Sequence, residues 1–301
     1  MEPPSEPPLS EAGPIEPRPA VPDFALTRDS VTLTDLLSKA SSAWSRDLMT
    51  WVLAMLLYWL LGWGIPIALS FVWGLVSAFQ QGSGGTSATF AAVDVIVQVV
   101  TYGVQLVLSA VFSLGLWAMA VRGLHGKPMS VGVLFSQLSK IWKYVLQSLA
   151  GMLGAVLVVL PLVVIIFLMF VGPVDLDTPM AEILDDAGRP FAIAVAVLFP
   201  VYVYVFTGIA FWRLELAFND DAGPIEAIVF SWRIARGRRW RIIGVWLIAA
   251  LITMGTATLC AVRLLFGAPL ASLLFGALYL ALRDGADVPP ANTATALGRQ
   301  Y

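Results

Sequence analysis

The sequence predicts an all-α polytopic membrane protein. It would have six transmembrane helices in three hairpin units, each unit preceded by a cytoplasmic interfacial helix. Three observations lead there: long uncharged apolar runs, a lopsided distribution of lysine and arginine among the connections, and a repeat marked by tryptophan.

The 301 residues are 58% hydrophobic and 13% charged. Their mean hydropathy is +0.82. A soluble domain carries about 25% charged residues, and a chain this apolar has no way to cover itself with polar surface in water. The uncharged runs are 48–93, 95–121, 145–174, 190–212, 242–262 and 264–282. A span needs about 20 apolar residues, so each run supplies one crossing. The stretch from 48 to Phe79 is 32 residues, or about 48 Å as one helix. That is longer than a hydrocarbon core of about 30 Å, so Gly62, Gly64 and Pro66 are expected to bend it.

Three domains follow. Residues 1–30 read as a disordered Pro-rich acidic tail: the first 23 hold eight prolines, five acids and one arginine, with no apolar segment of the signal-peptide kind. Residues 31–283 form the membrane domain. Residues 284–301 read as a short disordered C-terminal tail.

Charge sets the topology. Cytoplasmic connections are rich in Lys and Arg. Segment 122–144 has Arg122, Lys127, Lys140 and Lys143 and no acid, and segment 213–241 has six arginines. Segment 173–189 is acidic instead, with Asp175, Asp177, Glu182, Asp185 and Asp186 against Arg189. With both termini inside, sixteen of the eighteen Lys and Arg are cytoplasmic, leaving Arg189 and Arg263 outside. The expected location is a bacterial cytoplasmic (inner) membrane.

The repeat is carried by "LTDLLSKASSAWSRDLM", "VGVLFSQLSKIWKYVLQ" and "PIEAIVFSWRIARGRRWRII". Trp44, Trp142 and Trp240 lie 98 residues apart. In the first segment Leu33, Leu36, Leu37, Ala40 and Trp44 share one helical face, with a capping box from Thr32 and Asp35. In the second, Leu134, Leu138, Ile141 and Val145 form a stripe opposite Lys140 and Lys143. In the third, Ile225, Val229 and Trp232 face one way, while Phe230 and Ile234 point nearly opposite. That pattern fits a helix packed under the bundle as well as touching lipid. Gly223-Pro224 suits its start, and Gly237 provides a break before the next span. Amphipathic helices of this kind lie in the headgroup plane.

"SWRIARGRRWR" has five arginines in eleven positions. A basic patch with tryptophans is also a nucleic-acid signature, but the surrounding spans place this one at a membrane edge. The expected partners are therefore the lipid bilayer and anionic headgroups at the cytoplasmic face, with a membrane-protein partner possible and nucleic acid excluded. The candidate headgroup contacts are Lys140, Lys143, Arg233, Arg236, Arg238, Arg239 and Arg241, each worth about 1 kcal/mol against an anionic leaflet.

"DDAGPIEAIVFSWRIARGRRWRIIG", the proline of "GAPLASLLFGALYLALRDG" and the earlier "RGLHGKPMSVGVLFSQLSKIWKYV" resemble a group of poorly characterised bacterial multi-pass proteins. That group is related to the membrane domain attached to some glycerophosphodiester phosphodiesterases. The resemblance covers residues 31–283. It implies a bacterial membrane fold and no assigned chemistry, and no soluble phosphodiesterase domain accompanies it here.

Reactive groups are sparse. One histidine, His125, and one cysteine, Cys260, build neither a catalytic triad nor a zinc site. No catalytic, cofactor or metal residue is assigned, and no cofactor is expected. Asp175, Asp177, Asp185 and Asp186 read as a solvated loop, since they lack the spacing of a calcium-binding loop. The second span carries a polar stripe: Asp94, Gln98, Thr101, Gln105 and Ser109 fall within about 80° of arc and run about 22 Å along one helix. Such a stripe serves either as hydrogen-bonding glue between spans or as a path for a solute, proton or ion. Pro66, Pro161 and Pro200 near the middle of three spans add modestly to the path reading. The function expected first is a non-enzymatic integral membrane protein, an envelope-organising or partner-binding subunit. The alternative is a small-solute or ion transporter or channel using the stripe.

Overall fold

A computed structural model describes residues 24, 26–82, 88–171, 196, 198–256 and 263–297. Residues 1–23, most of the loop after the first span, the acidic segment 173–189, Cys260 and residues 298–301 lie outside the described residues, as do the expectations placed on them. The described chain is all-helical, and four of its helical stretches are long and apolar enough to cross a membrane: Leu48–Phe79, Ala92–Leu124, Leu198–Phe218 and Leu265–Arg283.

We number the helices α1 Leu33–Arg46, α2 Leu48–Gly62, α3 Gly64–Gly82, α4 Ala88–Leu124 and α5 Ile141–Val171. The stretch Leu198–Phe218 is α6, turning once before its last segment Trp212–Phe218. Then come α7 Pro224–Ala235, α8 Arg239–Gly255, α9 Ala268–Arg283 and the short α10 Ala294–Leu297. Two 3-10 turns, Val131–Phe135 and Leu138–Lys140, precede α5.

Local signals in the sequence act as expected at several boundaries. Thr32 Oγ1 accepts from Asp35 N at 3.2 Å, and Asp35 Oδ2 accepts from Thr32 N at 3.2 Å, closing the capping box of α1. The first long run breaks at Trp63 between α2 and α3, beside Gly62 and Gly64. Pro224 opens α7, where Glu226 reaches back to accept from Gly223 N at 2.8 Å. Gly237 has φ +75°, a conformation that costs other residues a Cβ clash, and there the chain turns from α7 into α8.

α1, the 131–135 turns and α7 each pack on a long helix. α1 lies along α9, the 3-10 turns at 131–135 lie on α4, and α7 lies on the end of α6, while α4 touches both α6 and α9. The result is a base with a main apolar core, which includes Leu36, Trp51, Phe112, Leu134, Phe211 and Leu278, and a smaller one around Ala110, Leu114, Tyr144 and Leu216. Two glycines permit the close approaches. A Cβ on Gly115 of α4 would stand 2.2 Å from the backbone oxygen of Leu134, and one on Gly208 of α6 would stand 2.2 Å from the Trp232 ring. Away from the base, α3, the first half of α4 and the far parts of α6 and α8 present large apolar side chains outward, Phe71, Phe79, Tyr102, Phe199 and Leu251 among them. Outward apolar surface of that extent belongs in lipid.

The apolar faces of the amphipathic segments are used on protein. In α1, Leu36, Ala40 and Ala43 are buried, while Leu33 stays exposed. α7 divides as its sequence indicates: Ala227 and Ile234 are buried, Ile225 and Val229 are out. The second segment departs from expectation. It is not an amphipathic α-helix with lysines outward; Leu138 is exposed and Lys140 is 4% exposed. The 3-10 winding, three residues per turn, rotates these side chains away from their α-helical positions. Lys140 then turns inward to a specific set of acceptors described below.

The C-terminal segment also differs from a free tail. Asp220 N donates to Asn292 O at 2.7 Å, Thr295 N donates to Asp220 Oδ2 at 2.7 Å, and Ala296 and Leu297 are buried. At the other end, Arg28 donates to the carbonyls of Leu282 and Arg236 at 3.0 and 2.6 Å. Both termini of the described chain are thus stitched to the base, because polar groups there find backbone partners that a disordered tail would leave to water.

Candidate functional site

Three groups of polar residues stand out, and they sit at different places. The first is in the base. Glu215 of α6 is fully buried. Arg283 at the end of α9 donates to it through Nε at 3.0 Å and Nη2 at 2.9 Å, the fork geometry of a bidentate pair. Tyr279 Oη donates to the same carboxylate at 2.5 Å and Asn219 Nδ2 at 3.1 Å. Beside it, Lys140 Nζ meets Asp220 Oδ1 at 2.7 Å and the carbonyls of Leu216 and Ala217 at 2.9 and 3.1 Å. Those carbonyls end the α6 helix, where the macrodipole favours a cation. Burial pushes the Lys140 ammonium below its ordinary range, and the Asp220 hydrogen bond pushes it back. Every one of these charges is matched, so the cluster fastens α6, α9 and the 131–140 turns together.

The second group is the stripe of α4. Asp94 is half-buried and bonded on both oxygens: Trp73 Nε1 donates to Oδ1 at 2.6 Å, and Gln98 Nε2 to Oδ2 at 2.9 Å. Gln98, Thr101 and Gln105 line an open groove of about 600 Å³ between α3 and α4, whose other walls include Trp63, Pro66 and Phe71. Ser109 is exposed and is not among the groove's lining residues. Directly after it come Ala110, Phe112 and Leu114, at 0–1% exposure. The groove therefore stops against packed apolar side chains.

The third group is the basic segment. Of the seven candidate cations, Lys140 is withdrawn from any headgroup by Asp220. Lys143 donates to the carbonyls of Asp220 and Ala222 at 2.9 and 3.1 Å. Arg238 is held by Asp29, and Arg241 donates to Arg28 O at 2.8 Å. The remaining three converge. Arg233, Arg236 and Arg239 line a pocket of about 720 Å³ with Tyr204, Ile228, Val229 and Trp232. The Arg239 guanidinium lies 3.5 Å from the Tyr204 ring centroid and 4.7 Å from that of Trp232. The two rings meet edge to face at 5.7 Å. Stacking of this kind holds a guanidinium flat while leaving its edge free for an acceptor.

The base cluster was missed by sequence reasoning, which took 213–241 as a connection although α6 continues to Phe218. A signal was present. Glu215 stands between Leu214 and Leu216 inside an apolar helix, and Arg283 is the first charge after the last apolar run. A lone carboxylate among leucines needs a buried cation. The arginine pocket was half visible, since the residues were singled out but not their convergence.

No family model, curated protein or solved structure matches the chain.

Proposed function

We propose that the chain is a non-enzymatic, six-span protein of a bacterial cytoplasmic membrane, with both termini inside, acting as an envelope-organising or partner-binding subunit. The four apolar helices of the described chain supply four spans, and the apolar runs carried into α5 and α8 supply two more. The cyclic packing of α1, the 131–135 turns and α7 against returning helices supports three hairpin units. The resemblance to the membrane domain of the phosphodiesterase relatives belongs to this same proposal. Labelling with an impermeant maleimide tests the topology once Cys260 is replaced by serine. Cysteines at Ser38, Lys127 and Asp284 should stay protected in spheroplasts, and cysteines at Gly84 and Asp177 should react.

One observation carries the platform reading over the transport reading. The polar stripe is bonded to its own neighbours at Asp94 and ends at the packed layer of Ala110, Phe112 and Leu114, while the base beneath is cross-linked by the Glu215 and Asp220 clusters. Transport is the second reading, favoured by the groove that Gln98, Thr101 and Gln105 share. Proteoliposomes holding proton- and cation-sensitive dyes separate the two. A platform gives flux no higher than empty liposomes and copurifies with a membrane protein in mild detergent. Saturable flux that disappears in Asp94→Asn would replace this reading with transport.

A further inference from the structure

We propose that Arg233, Arg236 and Arg239, with Tyr204 and Trp232, form a binding site for the phosphate headgroup of an anionic glycerophospholipid. The proposal rests on the membrane placement above and not on the platform role.

The chemistry of the pocket points to an oxyanion. Among the described residues its lining holds three guanidinium groups and no carboxylate. Arg239 is fixed against two aromatic faces, and its Nε is buried with no hydrogen-bond partner. The guanidinium fork matches phosphate oxygens in geometry as well as charge. The helix start adds to this. α8 begins at Arg239 and has no side-chain cap, so its positive dipole end stands beside the Arg239 that lines the pocket. A volume of about 720 Å³ is in the range of small-molecule pockets.

The surroundings select a lipid over a soluble phosphate. The pocket lies where the base gives way to outward apolar helices. Arg233 and Arg236 are exposed on its polar side. Ile228 and Val229 form an apolar wall, and exposed apolar side chains, Val201 and Leu247 among them, lie further along α6 and α8. A charged rim running into an apolar flank matches a molecule with a phosphate at one end and acyl chains at the other. The site is also built rather than diffuse. Trp232 reaches its position because Gly208 has no side chain, and the neighbouring cations Arg238 and Arg241 are already occupied.

The test uses the full chain purified in mild detergent, stripped of lipid, and titrated with phosphatidylglycerol or phosphatidylcholine. Bound lipid is counted by native mass spectrometry. Phosphatidylglycerol should bind at a single saturable site, and phosphatidylcholine should not compete. Arg233→Gln/Arg236→Gln and Arg239→Gln should each weaken binding about tenfold or more, the loss of at least one charge-assisted bond. Arg239→Lys keeps the charge but loses the fork and the flat stack, and should fail to restore binding. Lys39→Gln, an exposed charge on α1, should bind like the parent. Circular dichroism melting identifies any variant that has lost its fold. Gly208→Ala is the second route to the same answer, since it displaces Trp232 without altering charge and should also weaken binding. Equal binding by Arg239→Lys, or equal losses in Lys39→Gln, would show diffuse attraction and overturn the proposal. So would inorganic phosphate or glycerol phosphate displacing the lipid at comparable concentration, which would assign the pocket to a soluble anion.

Discussion

Arg283 and Glu215 are 68 positions apart in the chain and meet in a two-pronged ion pair inside the base, with bonds of 2.9 and 3.0 Å. The pair joins the last long helix to the end of α6. Arg283→Met leaves the Glu215 carboxylate buried with only Tyr279 and Asn219, and should destabilise by about 3–5 kcal/mol, the usual cost of breaking a buried pair. Replacing both residues, Glu215→Leu with Arg283→Leu, should recover most of that loss, because no uncompensated charge remains. Denaturant unfolding in detergent measures both. A double variant as unstable as the single would show that the cluster acts through something other than its charges.

Gly115 sets the spacing between α4 and the 131–135 turns. A methyl group there would come within 2.2 Å of Leu134 O and 2.7 Å of Leu134 Cα. Both are backbone atoms with no rotamer to give way. Gly115→Ala should therefore cost about 1–3 kcal/mol, the range for overpacking. Gly103, with open space around it, should tolerate alanine or gain slightly from helix propensity. Melting temperatures of the two variants, compared side by side, decide it.

His125 packs between Phe24 and Phe218, with ring centroids at 6.2 and 6.3 Å. Burial is the main cause that lowers its pKa, Lys127 adds to it, and the bond to Val121 O opposes. The unfolded chain takes up a proton near pH 6.5, and the folded chain resists until lower pH. Between those values the unfolded state holds more protons, so stability falls as pH falls below about 6.5 and is undiminished by this group above it. The melting temperature should drop between pH 7 and pH 5, and His125→Gln should flatten that slope. A slope unchanged in the variant would assign the acid sensitivity to other groups.

Asp94 joins α3 to α4 through Trp73. Asp94→Leu should lower stability by about 0.6–2 kcal/mol, the scale of hydrogen bonds between membrane helices. Asp94→Asn retains an acceptor for Trp73 and should lose less. Trp73→Phe should give a loss similar to Asp94→Leu, and the combined variant should add little beyond either. Fully additive losses would show that the two side chains do not act as a pair.

The parts of the fold legible in the sequence are those set by neighbours along the chain. Apolar run length, the Thr32–Asp35 box, Gly223-Pro224 and the turn at Gly237 all act within a few residues, so they can be read locally. The inward turn of Lys140 was not legible. Its acceptors at Leu216, Ala217 and Asp220 lie 76 or more positions away, and a helical reading of 130–146 puts the lysine on the wrong side. The docking of 284–297 was missed for a related reason: Asn292 and Thr295 carry no apolar pattern, and bind through backbone atoms whose partners only the folded base supplies. For the arginines, composition marked the segment, but which cations are already occupied depends on Asp29, Asp220 and Arg28 from distant parts of the chain.

The packing of α1 against α9 also bears on the order of synthesis. Helices enter a membrane as the ribosome delivers them, and α1 emerges long before α9. Until the last span is threaded, the face of α1 that carries Leu36, Ala40 and Ala43 lacks its main protein partner, and Glu215 waits without Arg283. The nascent chain must therefore hold an exposed apolar helix through nearly the whole of translation, and a lone buried-to-be carboxylate over the 68 positions between Glu215 and Arg283. A chain released before Arg283 would carry both defects, which gives membrane proteases and insertion chaperones a clear mark by which to tell an unfinished copy from a finished one.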